Sequence, residues 1–277
     1  MIDQQIIDAI LALNEAAEAL RVDFFMIGRL ARDVRLGGRV PENRLAATAD
    51  IDFVFLVRDW DHYAVLQRTL VDRPTHDFRR DPKRRQRLIF RSSLAVDIVP
   101  AGGVADAHGR AGWPPDGTPA MNVQGFEDAL KDAAGVALGG IQVRVASVPG
   151  LALLKLLAWA DDPSRNKDIQ DLALFMKHYE KLTDEARLWS GGDSDLSEAD
   201  DFDFSQAWSR ILGRDVGRMI RSPGTVECLL RILRRERAEP YDLVTLLVRF
   251  LVPDFDRAQA IFNAFCIGVT EGLERQA

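Results

Sequence analysis

Asp50 and Asp52 stand two residues apart at the start of the apolar run Phe53-Val54-Phe55-Leu56-Val57. A third acid, Asp97, interrupts another apolar run, Leu94-Ala95-Val96-Asp97-Ile98-Val99-Pro100. In a strand, residues i and i+2 project from one face, with Cα atoms about 6.5 Å apart at a rise of ~3.3 Å per residue. Two carboxylates brought together in this way repel and raise each other's pKa unless a positive charge stands between them. A pair of divalent cations would satisfy both, and cations so held clamp the attacking and leaving oxygens in phosphoryl and nucleotidyl transfer.

Such acids need strands and a turn to hold them. Phe24-Phe25-Met26-Ile27 is a short apolar run that ends at Gly28, and Arg29-Leu30-Ala31-Arg32-Asp33 follows, the pattern of strand, tight turn and helix. Glycine admits a phosphate close to the backbone, and the first turn of the next helix presents N–H groups to an anion. Leu88-Ile89-Phe90-Arg91 and Leu94–Pro100 read as two strands joined at Ser92-Ser93, which puts Asp97 inside a strand. Taken alone, a strand Asp is more often an edge or turn residue than a ligand. The order of glycine turn, Asp-x-Asp and later strand Asp is what singles these residues out.

In that order, Ile27-Gly28-Arg29, Thr48-x-Asp50-x-Asp52 and Asp97 resemble the core signature of the DNA polymerase β-like nucleotidyltransferase superfamily. Leu154-Lys155-Leu156-Leu157-Ala158-Trp159 and Arg165-Asn166-Lys167-Asp168-Ile169-Gln170-Asp171-Leu172 are similar to the lysine helix and the Lys-Asp-x-x-Asp helix of AbiEii-type toxin nucleotidyltransferases. Arg32-Asp33 is similar to the Arg-Asp that follows the glycines in CCA-adding enzymes and poly(A) polymerases. Arg29 stands where the superfamily carries Ser or Gly, and a guanidinium, a planar multi-donor cation, can replace a hydroxyl as a phosphate ligand.

The resemblance implies an α+β nucleotidyltransferase fold, a mixed β-sheet flanked by helices. It implies that Asp50, Asp52 and Asp97 are catalytic and hold two Mg²⁺ (or Mn²⁺) ions, with Asp97 also taking the proton of an acceptor hydroxyl. A nucleoside triphosphate would be held by Gly28, Arg29, Arg32, Thr48, Lys155, Lys167, Asp168 and Asp171. The implied activity moves a nucleoside monophosphate onto an acceptor such as RNA or a tRNA end, as the toxin of a toxin–antitoxin pair with a protein antitoxin as partner.

The residues have their own readings beside this. Lys155 lies in a segment, Leu151 to Trp159, that is otherwise almost wholly apolar, so its helix is expected to be buried and the lysine to need a partner or a route to solvent. Lys167, Asp168 and Asp171 share a helix face by spacing, although Lys167 and Asp171 also read as an ordinary surface pair. The run Arg79-Arg80-Asp81-Pro82-Lys83-Arg84-Arg85-Gln86-Arg87 is basic in a chain of net charge −6. It reads either as a solvated loop or as a track for a polyanionic acceptor, with Arg84, Arg85 and Arg87 as acceptor-binding residues. Trp113, in the turn-rich Gly112-Trp113-Pro114-Pro115-Asp116-Gly117, could stack a base or cap a core.

A chain of 277 residues with 47% hydrophobic and 28% charged residues is of soluble, globular composition and long enough for two domains. No signal peptide or membrane span is visible; the apolar stretch 243–252 is about half of what a bilayer needs and includes Arg249. Cys228 and Cys266 lack metal spacing, which points to a reducing, cytoplasmic compartment. His62, His76, His108 and His178 have no ligand spacing, and no histidine follows His178, which argues against an Arg/His ribonuclease.

The domain reading is 1–182 as the nucleotidyltransferase domain with a sheet of five or so strands, 183–204 as an acidic linker or loop, and 205–277 as a helical bundle. The segments around Val136 and at Ile141–Val145 read as a closing pair of strands that leads to Pro149 at the start of the lysine helix. Apolar periodicity predicts late helices at Ala207–Ile220, Val226–Arg237, Leu243–Leu251 and Ala258–Leu273, with Pro223, Pro240 and Pro253 between them. Two alternatives to RNA transfer stay open. One is a small-molecule enzyme of the aminoglycoside or lincosamide nucleotidyltransferase kind, which also carries a glycine turn and Asp-Ile-Asp. The other, prompted by Arg29, is a non-catalytic member that binds a nucleotide or a partner.

Overall fold

A computed structural model describes residues 2–40, 50–234 and 243–275. Thr48, Pro240 and the end of the helix expected to reach Arg237 lie outside the described residues. The chain forms two compact units, Met1–Arg35 with Asn43–Ser147, and Leu36–Glu42 with Val148–Ala277. The division falls where strands give way to helices, at Ser147–Val148, whereas composition drew attention to the acidic stretch 183–204.

The first unit runs α1 (Gln4–Leu20), β1 (Asp23–Ile27), α2 (Gly28–Leu36), β2 (Asp50–Val57), α3 (Trp60–Val71), β3 (Phe78–Arg80), β4 (Arg87–Phe90), β5 (Leu94–Gly102), β6 (Arg110–Gly112), β7 (Ala120–Asn122), α4 (Phe126–Lys131), β8 (Ala134–Leu138) and β9 (Ile141–Val145). Among the described residues its main sheet has seven strands in the order β3-β4-β5-β2-β1-β9-β8. The sheet is mixed: β2 is parallel to β5 and β1 to β9, and the other neighbours are antiparallel. The sequence pointed to five or so strands. One that it did not announce, β3, is three residues long and leads into the basic run, where arginines mask a strand pattern.

The central strands are buried on both faces, as in sheets with cover on each side. Along β2, Ile51, Phe53, Val54 and Phe55 are fully buried, each contributing roughly 1.5–3 kcal/mol by removal from water. Phe24 of β1 lies opposite Phe55 and stacks on it at 4.8 Å between centroids. Asp59 caps α3 by accepting from the His62 backbone N–H at 2.7 Å. The short β6–β7 ribbon carries the turn-rich insertion. Trp113 there is buried and packs on Trp60 and Tyr63 at 4.9 and 5.7 Å, so of its two readings the core cap is the one observed.

The second unit is helical: α5 (Val148–Asp161), α6 (Asn166–Leu182), α7 (Ala186–Trp189), α8 (Phe204–Met219), α9 (Pro223–Arg234), α10 (Leu243–Val248) and α11 (Phe255–Glu274). Pro149 sits in the first turn of α5, as its spacing suggested. Pro223 heads α9 instead of separating two helices, since a proline at the first position forfeits no helical hydrogen bond. The α8 and α11 backbones meet directly: a Cβ on Gly268 would overlap the Arg210 carbonyl oxygen.

The stretch 183–204, expected as a linker or loop, is pinned to these two helices by ion pairs. Asp193 is buried and accepts from Arg214 Nη1 and Arg187 Nε, both at 2.9 Å. Arg214, itself 1% exposed, also donates to Asp195 at 2.6 Å and to Glu271 of α11 at 2.7 Å. Burial alone would raise the Asp193 carboxyl, but Arg214 and Arg187 outweigh it and hold it below the usual range. No described helix is long and apolar enough to cross a membrane.

Candidate active site

Strand register assembles the acids. On β2, Asp52 lies directly opposite Asp97 on the parallel strand β5 and opposite Ile27 on the antiparallel strand β1. Asp50, two residues earlier, shares the face of Asp52. On the far side of β5, Arg87 of β4 is paired with Asp97. All four side chains therefore belong to one face of three adjacent strands.

Gly28 closes the site from the side of β1. Its φ of +73° lies in the left-handed region, and a Cβ there would stand 2.8 Å from Asp52 Cγ. The Asp52 carboxylate thus rests against the first residue of α2, at the positive end of the helix dipole. The strand, turn and helix expected from Phe24 to Asp33 are present, and the expected glycine is required there.

Arg87 is the feature that spacing did not reveal. Its Nε donates to Asp97 Oδ1 at 2.7 Å and its Nη2 to Asp97 Oδ2 at 2.8 Å, a bidentate pair, while Nη2 lies 3.6 Å from Asp50 Oδ2. The hydrogen bonds to Asp97 raise the Arg87 pKa above its ordinary value against the effect of burial, and the charges of Asp97, Asp50 and Asp52 add to the rise. Arg87 was expected to bind an acceptor; here its guanidinium pairs with Asp97, because β4 runs antiparallel to β5 and aims it across that residue. The one signal in the sequence was its place as the first residue of an alternating strand.

The acids are an all-oxygen set, the chemistry that Mg²⁺ or Mn²⁺ takes. As arranged they do not fit a metal. Both oxygens of Asp97 are engaged by Arg87, and among the described residues no three acids, histidines or cysteines stand close enough to hold an ion. Asp97 and Arg87 are mostly buried, while the Asp50 side chain is 47% exposed.

Arg29 and Arg32 converge on Asp33, which is 1% exposed: Arg32 Nε donates to it at 2.8 Å, and Arg29 Nε lies 3.8 Å from it. Arg29 keeps a 48% exposed side chain beside the glycine turn. Thr48 lies outside the described residues.

In the basic run, Asp81 accepts from the backbone N–H of Lys83 and of Arg84, at 2.7 and 3.0 Å, and closes the β3–β4 hairpin. Arg79, Lys83 and Arg84 are exposed on it. Arg85, also expected to bind an acceptor, donates to the Pro114 carbonyl at 2.8 Å, and Arg80 donates to Gln67 at 2.8 Å. Gln67 and Tyr63, which the sequence did not flag, brace this region from α3. Tyr63 Oη donates to the Ile98 carbonyl at 2.8 Å, and Gln67 donates to the Arg85 carbonyl at 2.7 Å. Burial, with a smaller push from Asp97, raises the Tyr63 phenol well above its ordinary value.

Lys155, Asp168 and Asp171 meet in the second unit. Lys155 Nζ lies 2.9 Å from Asp168 and 2.6 Å from Asp171, and Arg165 pairs with Asp168 at 2.5 Å. Burial lowers the Lys155 pKa, but Asp171 and Asp168 more than offset this and hold it above the usual lysine value. Lys167 does not join them: it is exposed, one residue from Asp168 and so about 100° around the helix.

No family model and no curated protein matches the chain. Among solved structures it is similar to an antigenic nucleotidyltransferase-like protein from Paracoccidioides brasiliensis, at 18% identity and a TM-score of 0.41, over 70% of this chain and 89% of that one. It is also similar to the antibiotic-resistance factor ANT(2'')-Ia, at 16% identity and a TM-score of 0.40, over 71% of this chain and 97% of that one.

Proposed function

We propose that the chain is a nucleotidyltransferase that moves a nucleoside monophosphate from a nucleoside triphosphate to an acceptor hydroxyl. The observation that carries this reading is the placement of Asp50, Asp52 and Asp97 on one sheet face against the Gly28 turn. An acceptor oxygen attacks the α-phosphorus, a new P–O bond forms, the bond to the β-phosphate bridge breaks, and pyrophosphate leaves. A site carboxylate accepts the hydroxyl proton, and the 47% exposed Asp50 is more open to it than the mostly buried Asp97. The positive charge that this chain itself brings to the phosphates comes from the α2 N-terminus, Arg29 and Arg87. The divalent ions implied by the resemblance would need Asp97 oxygens that Arg87 engages.

For the acceptor we favour RNA or another polyanion. Arg79, Lys83 and Arg84 are exposed on the hairpin that leads directly to Arg87, and a small antibiotic would gain nothing from them. The toxin role, an antitoxin partner, the triphosphate roles of Lys155, Asp168 and Asp171, and the 1–182 catalytic domain rest on the motif resemblance alone. The Arg87–Asp97 pair favours one rival, a non-catalytic nucleotide-binding member. Incubation with Mg²⁺, labelled nucleoside triphosphates and total RNA separates the readings. Label in RNA is the expected result; label on an added aminoglycoside gives the small-molecule reading, and no label in any acceptor overturns transfer.

A further inference from the structure

We propose that the face formed by Trp189, Phe202 and Phe204 in the helical unit is a docking surface for a basic, amphipathic segment of another protein. It uses none of the groups of the nucleotidyl-transfer site and stands whether or not that reading does. The three side chains are 52%, 38% and 44% exposed. Trp189 and Phe202 meet at 5.9 Å between ring centroids, and Phe204 leans on the buried Trp208 at 6.2 Å. Asp203, between the two phenylalanines, is extended, with φ −122° and ψ 124°, so both rings leave the chain on one side. Apolar side chains exposed singly are ordinary, whereas aromatics gathered around a tryptophan are the anchors that interfaces use.

The face is held in shape before any partner arrives. Arg214 and Arg187 pin Asp193, Asp203 caps α8 by accepting from the Gln206 N–H at 2.9 Å, and the Phe202 N–H closes a turn on the Ala199 carbonyl at 3.1 Å. Rings ordered in advance leave little conformational freedom to lose on binding. Charge decides what covers them. The stretch 183–204 holds eight acids and one base, Arg187, which is engaged by Asp193 and Asp215. Glu185, Glu198, Asp200 and Asp201 are exposed in it. A rim of this sign repels the phosphates of nucleic acids and of anionic lipid headgroups and attracts lysine and arginine. The rings need apolar side chains against them. An amphipathic helix with basic residues beside its apolar stripe meets both demands. An RNA drawn to the basic β3–β4 hairpin leaves this acidic face free.

The test is display selection of random peptides of about 20 residues, enough for several helical turns, on the full chain after depletion on the Trp189→Ser, Phe202→Ser double variant. Enriched peptides should carry net positive charge and apolar residues at three and four spacing. In fluorescence anisotropy a synthetic copy should bind the wild type about tenfold or more tightly than the double variant. Glu198→Gln with Asp200→Asn and Asp201→Asn should weaken the same peptide several-fold and flatten its salt dependence. If the double variant does not fold, Trp189→Ser alone should show the same direction. No enrichment, enrichment of acidic or uncharged peptides, or equal binding to wild type and variant overturns the proposal. Sedimentation that shows self-association lost in both Trp189→Ser and Lys83→Glu with Arg84→Glu assigns the face to a second copy, and anionic vesicles that bind the wild type but not Trp189→Ser assign it to a membrane; either result overturns it as well.

Discussion

At the scale of single residues, the three acids are not equivalent. Asp97 is mostly buried and holds both donors of the Arg87 fork, whereas Asp50 is 47% exposed and 3.6 Å from the same guanidinium. Asp97→Asn strips a buried cation of its partner and should cost about 1–3 kcal/mol in urea unfolding. Asp50→Asn should cost less than about 1 kcal/mol, in the range of exposed pairs. The reverse order would mean that Arg87 is not anchored by Asp97. Gly28→Ala forces a Cβ onto Asp52 at a positive φ, and should cost about 1–3 kcal/mol while weakening nucleotide binding. Unchanged binding of a labelled triphosphate would remove the turn from the site.

Individual elements show which parts of this arrangement a sequence can carry. The β2 and β5 runs are legible because apolar residues fill them, and the Gly28 turn because only glycine tolerates both its φ and its neighbour. Register is a different matter. Nothing local in Leu94–Pro100 says that Asp97 stands opposite Asp52, or that Arg87 reaches over Asp97, because register is fixed by pairing with distant strands. For the same reason the acids of 183–204 look like a solvated linker until Arg214, on another helix, is seen to hold Asp193 and Asp195. For Lys155 the sequence said only that a lysine in an apolar helix needs a partner or a route to solvent, and the partners it finds are Asp168 and Asp171. Lys155→Ala should cost about 3–5 kcal/mol, the penalty for leaving buried charges unpaired. The Lys155 pKa is raised, so its contribution is complete below the unfolded lysine value of about 10.4 and fades as pH climbs through the higher folded value. Chemical denaturation between pH 9 and 12 should show this loss in the wild type and not in Lys155→Met.

For the molecule as a whole, charge is distributed unevenly. The chain carries a net −6, yet the β3–β4 hairpin exposes Arg79, Lys83 and Arg84. Lys83→Glu with Arg84→Glu should weaken RNA binding and lower the log–log salt slope by about one for each phosphate no longer neutralised, with triphosphate affinity unchanged. A change in triphosphate affinity alone would take the hairpin off the acceptor path. In the helical unit, Arg214, with Arg187 beside Asp193 and Arg210 beside Glu271, holds the Asp193, Asp195 and Glu271 carboxyls below their ordinary values. Their contribution is complete above the unfolded carboxylate range near pH ~4 and is lost as acid reaches the lower folded values. Far-ultraviolet circular dichroism should follow an acid transition below about pH 4 that Arg214→Met displaces or abolishes.

The pairing of β2 with β5 also sets the order of events as the polypeptide is made. Parallel neighbours cannot form from a simple hairpin, and here α3, β3 and β4 must emerge before β5 can dock. Closure over that distance is slow compared with local folding. A nascent chain that stops short of Leu94 holds Asp50 and Asp52 but lacks Asp97, so the sheet face that carries all three acids is complete only after synthesis has passed β5.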